Sequence, residues 1–242
     1  MEDIKKVLEK IEDDPEAIND FLIKLIKNPY PEHLKSLKPF IDNLEPKVFN
    51  KVKMNYVFLL GEIGKKNPLE KHHLSFLMDI YYTSDRWIRN EIIQAIVKIS
   101  QKSEISDDII KLVIKAVNDD YSLIKSNALQ VILNLKKFPP NMSGNIFRIL
   151  NSKEKELELL CIQILEKFIP DYTQLIKLLS YSENYKILKP FAIRTLLLVY
   201  LRSVYNIESF REKISNSDWE MEYKEIYIKE INTFEKVILK NL

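Results

Sequence analysis

The apolar positions of this chain recur in blocks. With Val52 in KVKMNYVFLLGEIG as an anchor, the same register returns at Ile88, Ile124, Leu157 and Leu188, in steps of 36, 36, 33 and 31 residues. Four, five, eight and eleven residues after each anchor the chain is apolar in every copy. The sets are Tyr56, Val57, Leu60 and Ile63; Ile92, Ile93, Ile96 and Ile99; Ala128, Leu129, Ile132 and Leu135; Cys161, Ile162, Leu165 and Phe168; and Ala192, Ile193, Leu196 and Val199. Those offsets trace one face of an α-helix. Between the anchored helices lies a second helical pattern: HLSFLMDIYY, DDIIKLVIKAV, NIFRIL, YTQLIKLL and IESFREKI. Each period therefore reads as a helix pair, and a repeat of this length is the mark of stacked helical units.

The punctuation agrees with that parsing. Asp14 with Pro15, Ser106 before DDIIKLV, and Asp171 after Pro170 are helix starts, and FPPN at 138–141 separates two helices. Period-2 alternation is missing, so no strand is expected. The last stretch, SDWEMEYKEIYIKEINTFEKVILKNL, places Ser217 and Glu220 at capping-box spacing and puts Tyr223, Tyr227, Ile231, Phe234 and Ile238 on one stripe. The pattern predicts an all-α fold, a right-handed α-solenoid of about six antiparallel helix pairs. The count includes a divergent first pair at 16–44, and a long helix over 217–241 closes the array. The organisation is one domain, 1–242, with divergent N-terminal helices at 1–48, repeats at 49–214 and a capping helix at 215–242. That last helix is expected to cover the final pair, with homodimerisation through its stripe as the second reading.

Several of these residues resemble the HEAT-repeat and related armadillo-like α-solenoids. The first helix of that family carries an Asp, a β-branched residue followed by Arg or Lys, and then a small residue. DRWIR supplies Asp85, Ile88 and Arg89, and VKMNYVFLLGEIG ends on Gly61, Ile63 and Gly64 like the family's ALGxIG stretch. Tyr56 and Ile92 stand where the family has a small residue, and Glu158 where it has a cation. The resemblance spans 16–214 and implies a fold rather than a particular activity.

Composition narrows the function. An apolar fraction of 46% provides a core, and 37 basic against 35 acidic residues leave a formal charge of +2 and no global field for nucleic acid or anionic membrane. One cysteine, Cys161, excludes an internal disulfide framework and suits a reducing, cytoplasmic setting. No targeting segment or membrane span is expected. Three glycines in the whole chain disfavour phosphate loops and nucleophile elbows.

Candidate chemistry is sparse. The residue after each anchor is Lys53, Arg89, Lys125, Glu158 or Lys189, a row of cations that either tracks a phosphate backbone or, as the resemblance implies, bonds to the turn Asp of a neighbouring repeat. Lys111, Lys115, Arg148 and Lys177 on the second helices form a possible basic strip. His33, His72 and His73 lack Cys or carboxylate partners at ligand spacing, and the His-Glu pairs with which similar HEAT-type hydroxylases hold iron are missing, so no metal or other cofactor is expected. Cys161 sits at an inward position that Ala128 and Ala192 fill in other copies, and the Asp pairs lie at helix edges as caps. Trp87 four residues before Glu91 evokes the HEAT-like alkylpurine DNA glycosylases, but those pair their aromatic residues with Asp. The richest aromatic and arginine cluster is YYTSDRWIR, and Tyr81, Tyr82, Arg86 and Trp87 are the candidate partner-binding residues, the alternative being that both tyrosines finish the core face of their helix and Trp87 covers the joint between repeats, as Leu123 would one copy later. The reading is a non-catalytic, non-enzymatic scaffold or adaptor for a protein or peptide partner, the alternative being a nucleic-acid-binding solenoid.

Overall fold

The computed structural model of the chain describes residues 4–201 and 203–239. Among these residues the fold is all-α, with fourteen α-helices and no strand. The chain divides into two compact units, Met1–Leu135 and Lys136–Leu242.

The first unit holds α1 (Ile4–Ile11), α2 (Pro15–Lys27), α3 (Glu32–Asp42), α4 (Pro46–Gly64), α5 (Lys71–Thr83), α6 (Arg86–Ser100), α7 (Asp107–Val117) and α8 (Ser122–Asn134). Here α2 packs on α4, α4 on α6 and α6 on α8, while α5 and α7 touch each other and the row beside them. The anchors Val52, Ile88 and Ile124 are buried, and so is every residue four, five, eight and eleven positions after them. The periodic face is thus the core. The pattern did not set α1 apart as a helix of its own; it buries only Leu8 and lies against α2 and α3.

The second unit holds α9 (Ser143–Leu150), α10 (Lys155–Phe168), α11 (Tyr172–Ser180), α12 (Pro190–Tyr200), α13 (Val204–Ser215) and α14 (Met221–Leu239). In this unit α10 packs on α12, α12 on α14, α11 on α13 and α13 on α14. The fit to the pattern is looser: Ile162, Phe168 and Val199 are only half-buried, and Ile164 is buried instead. Leu188 is buried but precedes its helix, because Pro190 takes the first turn.

Most of the predicted ends are present. Asp14 Oδ1 accepts from the N–H of Glu16 and Ala17 at 3.0 and 3.2 Å, and Asp171 Oδ1 from Thr173 and Gln174 at 2.7 and 2.9 Å. FPPN ends in a short 3₁₀ turn, Pro140–Met142. Ser106 occupies the cap position of α7, but its hydroxyl makes no capping bond; Asp107 and Asp108 supply the negative charge that the helix start favours.

The C-terminal boundary differs from the expectation. The helix begins at Met221 and not at Ser217, and the capping box does not form. Ser217 Oγ instead donates to Ile214 O at 2.7 Å, closing α13, and the Glu220 carboxylate is taken by Lys186. The cause is Trp219, which turns inward between the helices and is only 5% exposed. Its ring stacks on Tyr185 at 4.7 Å, meets Tyr227 edge-on at 5.0 Å, and its Nε1 donates to Ser180 Oγ at 2.8 Å. Burying that indole outweighs one more helical turn. From the stripe, Tyr227, Ile231 and Phe234 are buried and Tyr223 half-buried; residues 240 and 241 and the side chain of Ile238 lie outside the described residues.

Close approach of α4 and α6 rests on the two glycines of GEIG. A Cβ added to Gly61 would stand 3.0 Å from Ala95 Cα, and one on Gly64 would stand 2.4 Å from Ile99 Cγ1. Gly61→Val is expected to cost about 1–3 kcal/mol by forcing the helices apart, read as a lower urea midpoint, whereas a neutral result would mean that the row tolerates wider spacing. Trp219→Ala removes a stacked, hydrogen-bonded ring and is expected to cost about 3–5 kcal/mol in thermal unfolding. A loss below about 1 kcal/mol would show that α14 is held chiefly by its lower stripe.

Candidate functional site

The start of α6 is fixed by Asp85, whose Oδ1 accepts from the N–H of Trp87 and Ile88 at 2.9 and 3.1 Å. With Ile88 committed to the core, Arg86 and Trp87 are directed outward. Trp87 is 53% exposed. The Arg86 guanidinium lies 4.9 Å from the centre of the Trp87 ring and 5.6 Å from that of Tyr121, and the two rings meet edge-to-face at 6.1 Å. This cation–π arrangement holds an exposed indole in one orientation, at little further entropy cost to a binding partner.

Tyr82 and Tyr81 meet edge-to-face at 5.7 Å but differ in burial. Tyr82 is 55% exposed, with Lys115 Nζ 4.4 Å from its ring centre. Tyr81, expected beside it at the surface, is buried; its hydroxyl donates to Asp119 at 3.5 Å, and burial together with that carboxylate pushes the phenol up to about 12. Successive helical residues point about 100° apart, so one ring is turned towards the core and the other towards solvent. The two tyrosines, Arg89, Lys115, Asn118 and Asp119 line a cleft of about 470 Å³ in the first unit.

Arg89 is engaged within the chain. Its Nε and Nη2 donate to the two oxygens of Asp119 at 3.1 and 3.3 Å, and Asp119 also accepts from the N–H of Tyr121. This is the cation-to-turn-Asp bond that the family resemblance implied. Lys53 reaches Ser84 Oγ at 3.4 Å. Glu158, which breaks the row of cations, continues the cross-linking with reversed polarity by accepting from Thr195 Oγ1 at 3.1 Å. Lys111 and Lys115 belong to the first unit, where Lys111 pairs with Asp108 at 3.1 Å and Lys115 lies over Tyr82. Arg148 and Lys177 belong to the second; Arg148 donates to Asn145 Oδ1 at 2.9 Å, and Lys177 is exposed.

The sequence reading overlooked two features. Tyr121, the third ring at the site, stands 36 residues after Asp85, so the period would have placed it at the corresponding turn. Asparagines also link neighbouring repeats: buried Asn127 donates to buried Asn90 Oδ1 at 3.0 Å, and half-buried Asn55 to half-buried Asn19 Oδ1 at 2.7 Å. Their signal was a recurring Asn two or three places after an anchor.

The remaining reactive residues are dispersed. Cys161 is buried, which pushes its thiol up and away from nucleophilic use. Burial likewise raises the Glu91 carboxyl, against the pull of Lys98, and its Oε1 has no hydrogen-bond partner among the described residues. Among the described residues no group of three or more His, Cys, Asp or Glu could hold a metal ion, and no helix is long and apolar enough to cross a membrane.

No family model and no curated protein matches the chain. Among solved structures it is similar to an engineered protein from the Northeast Structural Genomics Consortium, at 13% identity and a TM-score of 0.54, covering 97% of this chain and 98% of that one. A second engineered protein from the same consortium aligns at 12% identity and a TM-score of 0.45, over 96% and 100% of the two chains. The first likeness is one of fold.

His73 gives the protein a titratable feature. Burial, assisted by His72 and Lys38, holds its imidazole down to about 4 against the opposing pull of Glu70 and Asp42, and its Nδ1 has no partner among the described residues. The folded state therefore refuses a proton that the unfolded chain accepts below about 6.5. Stability should be full above that pH and decline steadily towards pH 4. His73→Gln is expected to flatten that decline in melting curves between pH 7.5 and 4.5; an unchanged slope would assign it to other groups, His33 first, whose imidazole burial also lowers.

Proposed function

We propose that the chain is a HEAT-like, right-handed α-solenoid of about six helix pairs, and that it serves as a non-catalytic scaffold or adaptor binding a protein or peptide partner. The observation that carries this reading is the exposed indole of Trp87 under the Arg86 guanidinium, with Tyr82 and Lys115 stacked in the same unit. Tryptophan, tyrosine and arginine dominate the energetic centres of protein interfaces. Trp87 stands at a turn position that most helical repeats leave polar, and its exposure is not needed for the core around Ile88. Tyr82, Arg86 and Trp87 are the contact residues in this reading, with Tyr81 supporting them from beneath. The assignment of no reaction rests on the dispersal of the reactive side chains, and a cytoplasmic setting on the lone buried cysteine.

Parallel affinity capture with the wild-type chain and Trp87→Ala tests the reading, followed by titration of the captured partner. Trp87→Ala is expected to weaken binding by about 2 kcal/mol or more while shifting the melting temperature by only a few degrees. A collapse in melting temperature with undiminished binding by the folded fraction would make Trp87 a core residue and place the interface elsewhere. Capture of nucleic acid alone, in a salt-sensitive manner weakened by reversing Lys111 and Lys115, would replace the protein-binding reading with its alternative.

A further inference from the structure

A second surface lies wholly within the second unit and is independent of the Trp87 cluster. The end of α10, the FPPN segment and α11 border a shallow, open cleft of about 490 Å³. Its base is apolar: Ile169 and Leu178 are buried, and the half-buried rings of Phe138 and Phe168 meet at 5.8 Å with a tilt of 40°. Tyr181, 45% exposed, stands at the edge, beside a turn in which Ser182 and Glu183 both adopt left-handed backbone, φ 49° and 56°. That turn is pinned by buried Asn184, which donates to Ser143 Oγ at 2.8 Å and Leu178 O at 2.9 Å. The exposed lysines 136, 137 and 177 line the cleft, and no carboxylate does.

We propose that this cleft docks a short acidic peptide segment of a partner protein, with one aromatic or large aliphatic side chain resting against Phe138, Phe168 and Leu178 and flanking carboxylates facing Lys137 and Lys177. Charge complementarity selects the occupant: a chain of nearly balanced charge here sets the exposed Lys137 and Lys177 beside an apolar floor, an arrangement that favours an anion bearing an apolar anchor. A single-stranded nucleic acid would need open aromatic faces on which to stack. The two phenylalanines instead lean on each other, and Lys167 Nζ lies 4.8 Å from the Phe168 ring centre. The surface is thus a shallow apolar depression rather than a row of open stacking faces.

Fluorescence anisotropy on the full chain tests this with a fluorescein-labelled peptide carrying one phenylalanine flanked by glutamates, a counterpart with lysines for glutamates, and labelled oligothymidylate. The acidic peptide is expected to bind saturably and more weakly as salt rises. Its affinity should fall about tenfold or more in Lys137→Glu/Lys177→Glu, and fall also in Tyr181→Ala. All three residues are exposed, so melting temperatures should stay within a few degrees of wild type. Trp87→Ala should leave this binding unchanged, which separates the cleft from the surface proposed above. Absence of saturable binding, equal binding of the lysine peptide, or indifference to the charge reversal overturns the proposal. Binding of oligothymidylate in place of the acidic peptide, lost in the same double variant, makes the cleft a nucleic-acid site instead.

Discussion

The structure depends on one constraint: an anchored helix cannot cover its own apolar face, and the surface that covers it belongs to a helix about one period away. In the first unit α4 is sandwiched between α2 and α6, and α6 between α4 and α8. Val52, Ile88, Ile124 and the residues in register with them are consequently buried almost completely. Each helix of that row is held through its two neighbours. Such packing makes spacing critical, which is why Gly61 and Gly64 stand where α4 faces Ala95 and Ile99 of α6.

Burial against a neighbour removes water from the polar groups at the same interface, and those groups must find partners across it. The Arg89–Asp119 pair, the Asn90–Asn127 bond and the Glu158–Thr195 bond are solutions of that kind. They specify register more than they add energy, because each hydrogen bond replaces one to water. In the second unit the same demand appears at α14: Arg194 satisfies the buried Glu230 carboxylate, and Arg211 reaches Glu235. The Tyr185–Trp219–Tyr227 cluster supplies the apolar part of that joint.

With the rows closed in this manner, side chains at the turns are free to serve other ends. Trp87 follows a capping aspartate and precedes a core isoleucine, so its direction is set by the helix while its ring is left to solvent and Arg86. Tyr82 is turned outward for the same reason that Tyr81 is turned in. The proposed binding role draws on this: rings oriented by the scaffold need little ordering when a partner arrives.

The sequence by itself determined the all-α class, the paired helices, the starts of α2, α7 and α11, and the core of the first unit. All of these follow from local rules: the 3.6-residue period, the capping preference of Asp, and the refusal of proline to continue a helix. Tertiary structure decided what depends on two segments at once. It moved the start of α14 from Ser217 to Met221 because the Trp219 ring had a socket formed by Tyr185, Tyr227 and Ser180. It joined Tyr121 to Trp87 and gathered Phe138, Phe168 and Tyr181 around one cleft. The geometry of such meetings is not local: it brings together residues of different helices and is fixed by how one helix packs on the next.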